Sequence, residues 1–265
     1  MSSDDIFKSE KELIMTNIRT KAQIEKIREA GRIVAACHEN LRKIIRPGIT
    51  TFAIDKFVDE FITSHNAIPA QKGYHGYPYA ACTSVNDEIC HGMPSKYVLK
   101  EGDIVKVDMV VNKNGWMGDS AWCYAVGDIS PVARKLMAVT KECLDIGISK
   151  AVDKNRLGDI GYYIQRHAEK NGFSVVRDFT GHGIGNSMHE DPAILHYGQK
   201  DRGMRIQEGM VFTIEPMINE GDYDLYVDED NGWTAYTSDG SLSVQYEHTI
   251  AITSNGPEIL TKQEF

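Results

Sequence analysis

From Thr20 onward, apolar side chains recur at helical spacing: Ile24, Ile27, Ala30 or Gly31, Val34 and Leu41. Steps of three, four and seven residues put them on one face, which predicts an amphipathic helix. Pro47-Gly48 stops it. A second helix is predicted from Thr51, with Ile54, Phe57, Val58 and Phe61 on its apolar side. After Asn66 the pattern changes to short β-type runs that continue to about Val126. The succession then repeats. A helix begins near Pro131 with Ala133, Leu136, Met137, Leu144 and Ile148, and another covers 157–169 and ends at Asn171-Gly172. β structure begins over 173–176 and continues, with interruptions, to Ile252. Helix, helix, strands, twice over, predicts one domain of two related halves, with helices covering a curved mixed sheet.

Acidic residues interrupt the apolar runs at four places. Asp108 lies in VKVDMVV, Asp119 in GDSA, Glu215 in FTIEPM and Glu247 in QYEHT. Between the first two, Asn112-Lys113-Asn114-Gly115 signals a tight hairpin. A loop at Lys113-Asn114 sets Asp108 directly opposite Asp119, whereas a loop at Asn114-Gly115 makes them diagonal neighbours. Either register leaves both on one face of the sheet, because side chains alternate with period two. A lone Asp near a strand end is ordinarily a turn or cap residue, and an exposed edge position would explain either glutamate taken singly. Together the four are harder to explain. Two like charges about 4 Å apart repel by roughly 4 kcal/mol at an effective dielectric near 20, and a buried carboxylate needs a neutralising partner. Two divalent cations carry enough positive charge to balance four carboxylates, which points to a dinuclear metal site and to hydrolysis.

Histidines and glycines add to this. His182 stands in TGHGIG, His189 in MHEDP and His91 in NDEICHGMP. The glycine-rich string lacks the lysine and helix of a phosphate loop; its glycines instead let backbone approach a site into which His182 points. His38, His65, His167 and His196 read as structural by default, His75 and His248 less firmly so. GxSxG and HExxH are absent, and no cysteine has a convincing histidine partner nearby in sequence, so covalent and single-zinc schemes have little support.

Composition narrows the class. The chain has 265 residues, 42% hydrophobic and 25% charged, ordinary for a soluble globular protein. A net charge of −9 argues against a general nucleic-acid binder. The locally basic stretch 19–46, with Lys21, Lys26, Arg28, Arg32, Arg42 and Lys43, reads as a solvated helix face, contact with an anionic partner being the alternative. Five cysteines without a CxxC pair suit free thiols in a reducing cytosol. Residues 1–13 read as a polar extension with no signal-peptide core, and no uncharged run is long enough to span a membrane. A cytoplasmic monomer is expected.

The strings NDEICHGMP, KVDMVV, GDSA, TGHGIG, MHEDP, TIEPM and YEHTIAIT occur in the order and spacing of the methionine aminopeptidases. Over residues 14–262 the chain closely resembles the bacterial type I enzymes; Glu215 and Glu247 are only 32 positions apart, without the long insertion of type II. The resemblance implies an α+β pita-bread fold, two pseudo-symmetric halves with a curved, mostly antiparallel sheet covered by helices, as a single catalytic domain over 14–265. It implies removal of the initiator methionine from nascent proteins and peptides before a small second residue. Two divalent ions are implied, and a mostly oxygen donor set suits manganese, iron or cobalt. Asp108, Asp119, His182, Glu215 and Glu247 would be the ligands, with Asp119 and Glu247 shared by both ions. Activated water would be the nucleophile, Glu215 the proton acceptor, His189 the group stabilising the carbonyl oxygen and His91 a hydrogen-bond partner of the neighbouring amide. One metal would hold the free α-amine. Tyr74, Tyr77, Cys82, Trp233 and Met188 match positions at the methionine pocket; Gln71 and Met188 depart from residues some relatives carry there. The implied partners are the N-termini of nascent chains, with the ribosome close by. The rivals are a proline-specific peptidase of the same fold, usually with an extra N-terminal domain, and a non-catalytic binding protein that has lost its ligands.

Overall fold

The computed structural model describes residues 17–264; the expected extension over 1–13 lies outside the described residues. The first half begins with α1 (Lys21–Ile44). Thr20 caps it: the hydroxyl oxygen accepts from Gln23 N at 3.3 Å and Gln23 Oε1 accepts from Thr20 N at 2.9 Å, a reciprocal box that satisfies two orphan donors. Ile24, Ile27, Ala30, Val34 and Leu41 are buried as the periodicity predicts. On the opposite face Arg28 pairs with Glu25 and Glu258, and Arg32 with Glu25, which is the solvated helix face expected of the basic stretch. Helix α2 (Thr51–Ser64) is capped by Thr50, and its buried stripe is Ile54, Val58 and Ile62, with Phe57 and Phe61 only partly covered.

Five strands follow: β1 (Ile68–Pro69), β2 (Cys82–Val85), β3 (Glu88–Cys90), β4 (Ile104–Lys113) and β5 (Trp116–Ala125). Asn114-Gly115 is the loop of the β4–β5 hairpin, and both residues have positive φ, 54° and 82°. That turn matches the twist of the strands it joins. Of the two registers left open by the sequence, the diagonal one forms: Asp108 pairs with Ala121 and Asp119 with Val110.

The second half repeats the order. Helix α3 (Pro131–Lys150) has Ser130 as its cap and Pro131 in its first turn, and α4 (Leu157–Lys170) ends one residue beyond the expected boundary. The strands are β6 (Ser174–Val175), β7 (Gly181–Gly183), β8 (Glu190–Ile194), β9 (Val211–Ile214), β10 (Met217–Asn219), β11 (Leu225–Val227), β12 (Ala235–Thr237), β13 (Ser243–Gln245), β14 (His248–Thr253) and β15 (Gly256–Ile259). They fall into several hydrogen-bonded sheets, the largest ordered β15-β14-β9-β7-β8, and the described pairings are antiparallel. One apolar core runs beneath both halves, from Val34 and Leu41 through Val105 and Leu136 to Phe212 and Ile250.

Polar bonds hold the halves together where the sheets meet. Thr249 Oγ1 donates to Asp119 O at 2.8 Å and accepts from Asp119 N at 3.0 Å. Glu247 N donates to Ala121 O at 2.8 Å, and Ser120 Oγ to Glu247 O at 2.6 Å. Lys106, wholly buried, donates through Nζ to Asn86 O in the first half and Ser243 O in the second, at 2.9 and 2.8 Å. Burial pushes its pKa down to about 8, and two carbonyls suit an ammonium that can only donate. Asp119 and Glu247 therefore arrive side by side because the seam between the halves runs through them. All five cysteines are buried and free. Among the described residues no helix is long and apolar enough to cross a membrane.

Candidate metal centre and its cavity

A cavity of about 380 Å³ opens at this seam. Every residue singled out from the sequence lines it. Asp108, Asp119, His182, Glu215 and Glu247 form one wall, His91 and His189 flank them, and Tyr74, Tyr77, Cys82, Met188 and Trp233 enclose the rest. The hairpin β4–β5 delivers the two aspartates. His182 comes from β7, where pairing with β8 slips register after His182, and Glu215 and Glu247 stand just outside β9 and β13.

His182 Nδ1 donates to Gly183 O at 3.0 Å, which leaves Nε2 without a proton. That bare nitrogen lies 3.6 Å from Asp119 Oδ2 and 3.6 Å from Glu215 Oε1. Burial, with His189 nearby, holds the imidazole pKa down to about 4, so at neutral pH the ring brings no positive charge to these acids. Burial pushes the carboxyl of Asp108 up to about 7 and that of Glu215 up to about 8. Asp119 and Glu247 are raised further, first by burial and then by the other carboxylates. Oδ1 of Asp108, Oδ1 of Asp119 and Oε1 of Glu247 are buried without a hydrogen-bond partner.

Around this wall the rings are arranged edge to face. Tyr77 meets Trp233 at 5.1 Å and 68°, and His91 meets Phe179 at 5.2 Å and 85°. The Tyr77 hydroxyl donates to Gly92 O at 3.1 Å. Tyr74 Oη lies 2.8 Å from His189 Nδ1, and the His189 ring is 4.3 Å from that of His182. His91 has a positive φ of 55°, a conformation that costs a non-glycine residue energy and is often held at functional sites. Burial lowers the pKa of both His91 and His189. Both are neutral hydrogen-bonding rings at physiological pH.

Comparison with known proteins identifies this arrangement. The model of metallopeptidase family M24 matches residues 25–254. The chain belongs to that family. Within it, the chain is 50% identical over 246 residues to methionine aminopeptidase A of Synechocystis sp., covering 92% of this chain and 97% of that protein. A crystal structure of methionine aminopeptidase from Rickettsia prowazekii superposes with a TM-score of 0.93 at 46% identity, covering 94% of this chain and all of that one. Prolidase from Pyrococcus furiosus superposes at 0.73 with 22% identity, covering 69% of that chain, a likeness of fold alone. The M24 chain therefore stands with the methionine aminopeptidases, metallo-exopeptidases of pita-bread fold.

The donor set fits the divalent cation that an M24 metallopeptidase binds. Single ligand atoms of Asp119, His182 and Glu247 lie within 4.8 Å of one another. Buried carboxyl oxygens without donors, facing an unprotonated imidazole nitrogen, can be ionised together only if a cation lies between them. Oxygen donors with one imidazole suit a hard or borderline ion.

Sequence reasoning missed the residues that hold this wall in place. Thr213 Oγ1 donates to Glu215 Oε1 at 2.8 Å and Gln245 Nε2 to Glu215 Oε2 at 3.2 Å. His196 Nε2 accepts Glu215 N at 3.0 Å, and burial holds its pKa down to about 3, so its structural reading stands with a definite task. Thr213 and Gln245 each lie two residues from an acid, so the period-two rule of strands could have picked them out. Phe179 and Met217 also line the cavity. Proximity to TGHGIG and TIEPM was their only signal.

Proposed function

We propose that this M24 chain removes the N-terminal methionine from nascent proteins and peptides, preferring a small second residue, with two divalent cations of manganese, iron or cobalt. Asp108, Asp119, His182, Glu215 and Glu247 would hold them, Asp119 and Glu247 serving both. Bound there, such cations supply an acidified water and a polarised carbonyl. Glu215, ionised once cations balance the cluster, takes the proton of the attacking water and passes it to the leaving amine. Thr213 and Gln245 fix the direction in which that carboxylate faces. Tyr74 Oη lies 2.8 Å from His189 Nδ1; with the hydroxyl as donor, the ring proton sits on Nε2. From there His189 donates to the carbonyl oxygen as negative charge develops. His91 hydrogen-bonds the amide beside the scissile bond. Tyr77, Cys82, Met188 and Trp233 exclude water around the methionine side chain, whose sulfur favours aromatic edges.

The observation that carries this reading is the set of orphaned carboxylate oxygens opposite the bare nitrogen of His182, at the end of a pocket lined by aromatic and sulfur side chains. Residues 14–265 would act as one catalytic unit and 1–13 as a polar extension; the chain would work as a cytoplasmic monomer close to the ribosome. The test offers the peptides Met-Ala-Ser and Ala-Pro to the metal-free protein resupplied with each ion in turn, and reads products by mass spectrometry. Release of free methionine from the first peptide alone is expected. Cleavage of Ala-Pro instead would favour the proline-peptidase reading, and failure on both with every ion would leave a binding protein.

A further inference from the structure

The last glycine of TGHGIG takes no part in the chemistry above. A Cβ on Gly185 would fall 2.2 Å from Nη2 of Arg19, so this position must lack a side chain for the guanidinium to enter. Arg19 precedes α1, and its main-chain N–H is held by Gly209 O at 2.7 Å. Its side chain runs over the Trp116 ring, 5.4 Å from the centroid, and is only 8% exposed. Nη2 pairs with Glu190 Oε2, Nη1 lies 3.4 Å from Asn186 Oδ1, and Nε is buried without a partner.

Glu190 gathers three donors. Besides Arg19 it accepts Asn17 Nδ2 at 2.7 Å through Oε2 and Ser187 N at 3.1 Å through Oε1. Asn186 and Glu190 bracket the segment between β7 and β8 that carries Met188 and His189. Met188 is buried in the methionine pocket while His189 is exposed at its mouth, so the segment offers one residue to the substrate side chain and one to its carbonyl. Its other contacts are few: Gly185 O accepts from Met117 N at 2.8 Å, Gly185 N donates to Ser187 O at 3.2 Å, Asn186 Nδ2 reaches Gly115 O at 3.1 Å, and Tyr74 Oη lies 2.8 Å from His189 Nδ1.

We propose that Arg19, seated in the Gly185 slot and paired with Glu190, is a positioning residue that sets the placement of Met188 and His189 in the substrate cavity. This rests on the aminopeptidase reading for its kinetic consequence and on geometry alone for its structural one. Removing the arginine leaves a largely buried carboxylate unpaired, which a segment of this size relieves by moving Glu190 toward water. His189 and Met188 move with it. The metal wall stays, since His182 is held separately by Thr213 and Gly183.

The experiment compares wild type, R19A, R19K and E190Q as full chains saturated with metal. Kinetics on Met-Ala-Ser are read beside the NMR signal of the methyl-labelled Met188, assigned by its loss in M188L. R19A and E190Q should lower kcat by about ten- to hundredfold and raise KM, as misplacement by about an ångström does, and should shift or broaden the Met188 signal. R19K, which keeps the charge but not the fork, should recover part of both. A folded R19A with a lower melting temperature but unchanged kcat, KM and Met188 signal would overturn the proposal. Should R19A fail to fold, R19K and E190Q decide on the same readouts. A wild type inert on the peptide would count against the aminopeptidase reading, and the Met188 signal would still test the positioning.

Discussion

The two halves of the molecule supply the same chemistry by different means. In the first, a regular ten-residue hairpin strand on each side of one tight turn brings Asp108 and Asp119 to the same face. In the second, His182, Glu215 and Glu247 come from three strand ends, one of them at a slipped register. The donors differ accordingly. Asp108 and Asp119 each keep one buried oxygen with no partner, whereas both Glu215 oxygens accept hydrogen bonds from the chain. Glu247 of the second half, like the two aspartates, has an unmatched oxygen; such an acid suits a cation, and one already steered by two donors suits proton transfer.

Breaking the first-half wall should have the largest effect. Asp119→Asn should bring cleavage of Met-Ala-Ser below detection while making the metal-free protein more stable. In the folded metal-free chain burial and neighbouring acids hold the Asp119 carboxyl away from its ordinary ionised state; Asn removes that cost, and the melting temperature gains about 2–4 °C for each kcal/mol relieved. A calorimetric scan that finds the variant less stable would remove the repulsion argument. The second-half counterpart is milder. Glu215→Gln should cost kcat roughly 10²–10⁴-fold, with KM changed far less, as steady-state kinetics at saturating metal will tell.

Acidity sharpens the same contrast. In the metal-free protein Asp108 and Glu215 hold their protons up to about 7 and about 8, above the ordinary 3.8 and 4.5. Between these limits the folded state binds more protons than the unfolded one, so this contribution to stability falls as pH rises. Cations need the deprotonated donors. The melting-temperature gap between loaded and metal-free protein should therefore widen as pH is raised from about 5.5 to about 8. A gap independent of pH would detach the carboxylates from cation binding.

How much the sequence disclosed follows the same division. The hairpin over Asn112-Lys113-Asn114-Gly115 was legible, since residues that accept positive φ stand together there, and so were the helix starts near Thr20, Thr51 and Pro131. Only the register stayed open, because Lys113-Asn114 and Asn114-Gly115 are both acceptable loops. In the second half, motif strings named His182, Glu215 and Glu247; period two could have pointed to Thr213 and Gln245, but nothing local foretold that His196 would steady Glu215. Charge alone misled at Arg19: inside the basic stretch it read as part of a solvated face, yet its side chain is buried against Glu190, far away in the chain. Long-range partners leave no trace in local pattern. Gly115→Ala tests the legible part. With φ at 82° and open space around it, the cost should be backbone strain of about 1 kcal/mol, seen as a small fall in melting temperature with cleavage retained. A larger loss of activity would mean that the turn does more than set register.

Calorimetric titration of manganese, ferrous iron or cobalt into the metal-free full chain is the most direct trial of a cation-holding wall. Uptake of two ions per wild-type chain with proton release, weakened sharply in Asp119→Asn, is the predicted result. A wild type that takes up none of the three ions stoichiometrically would contradict the account.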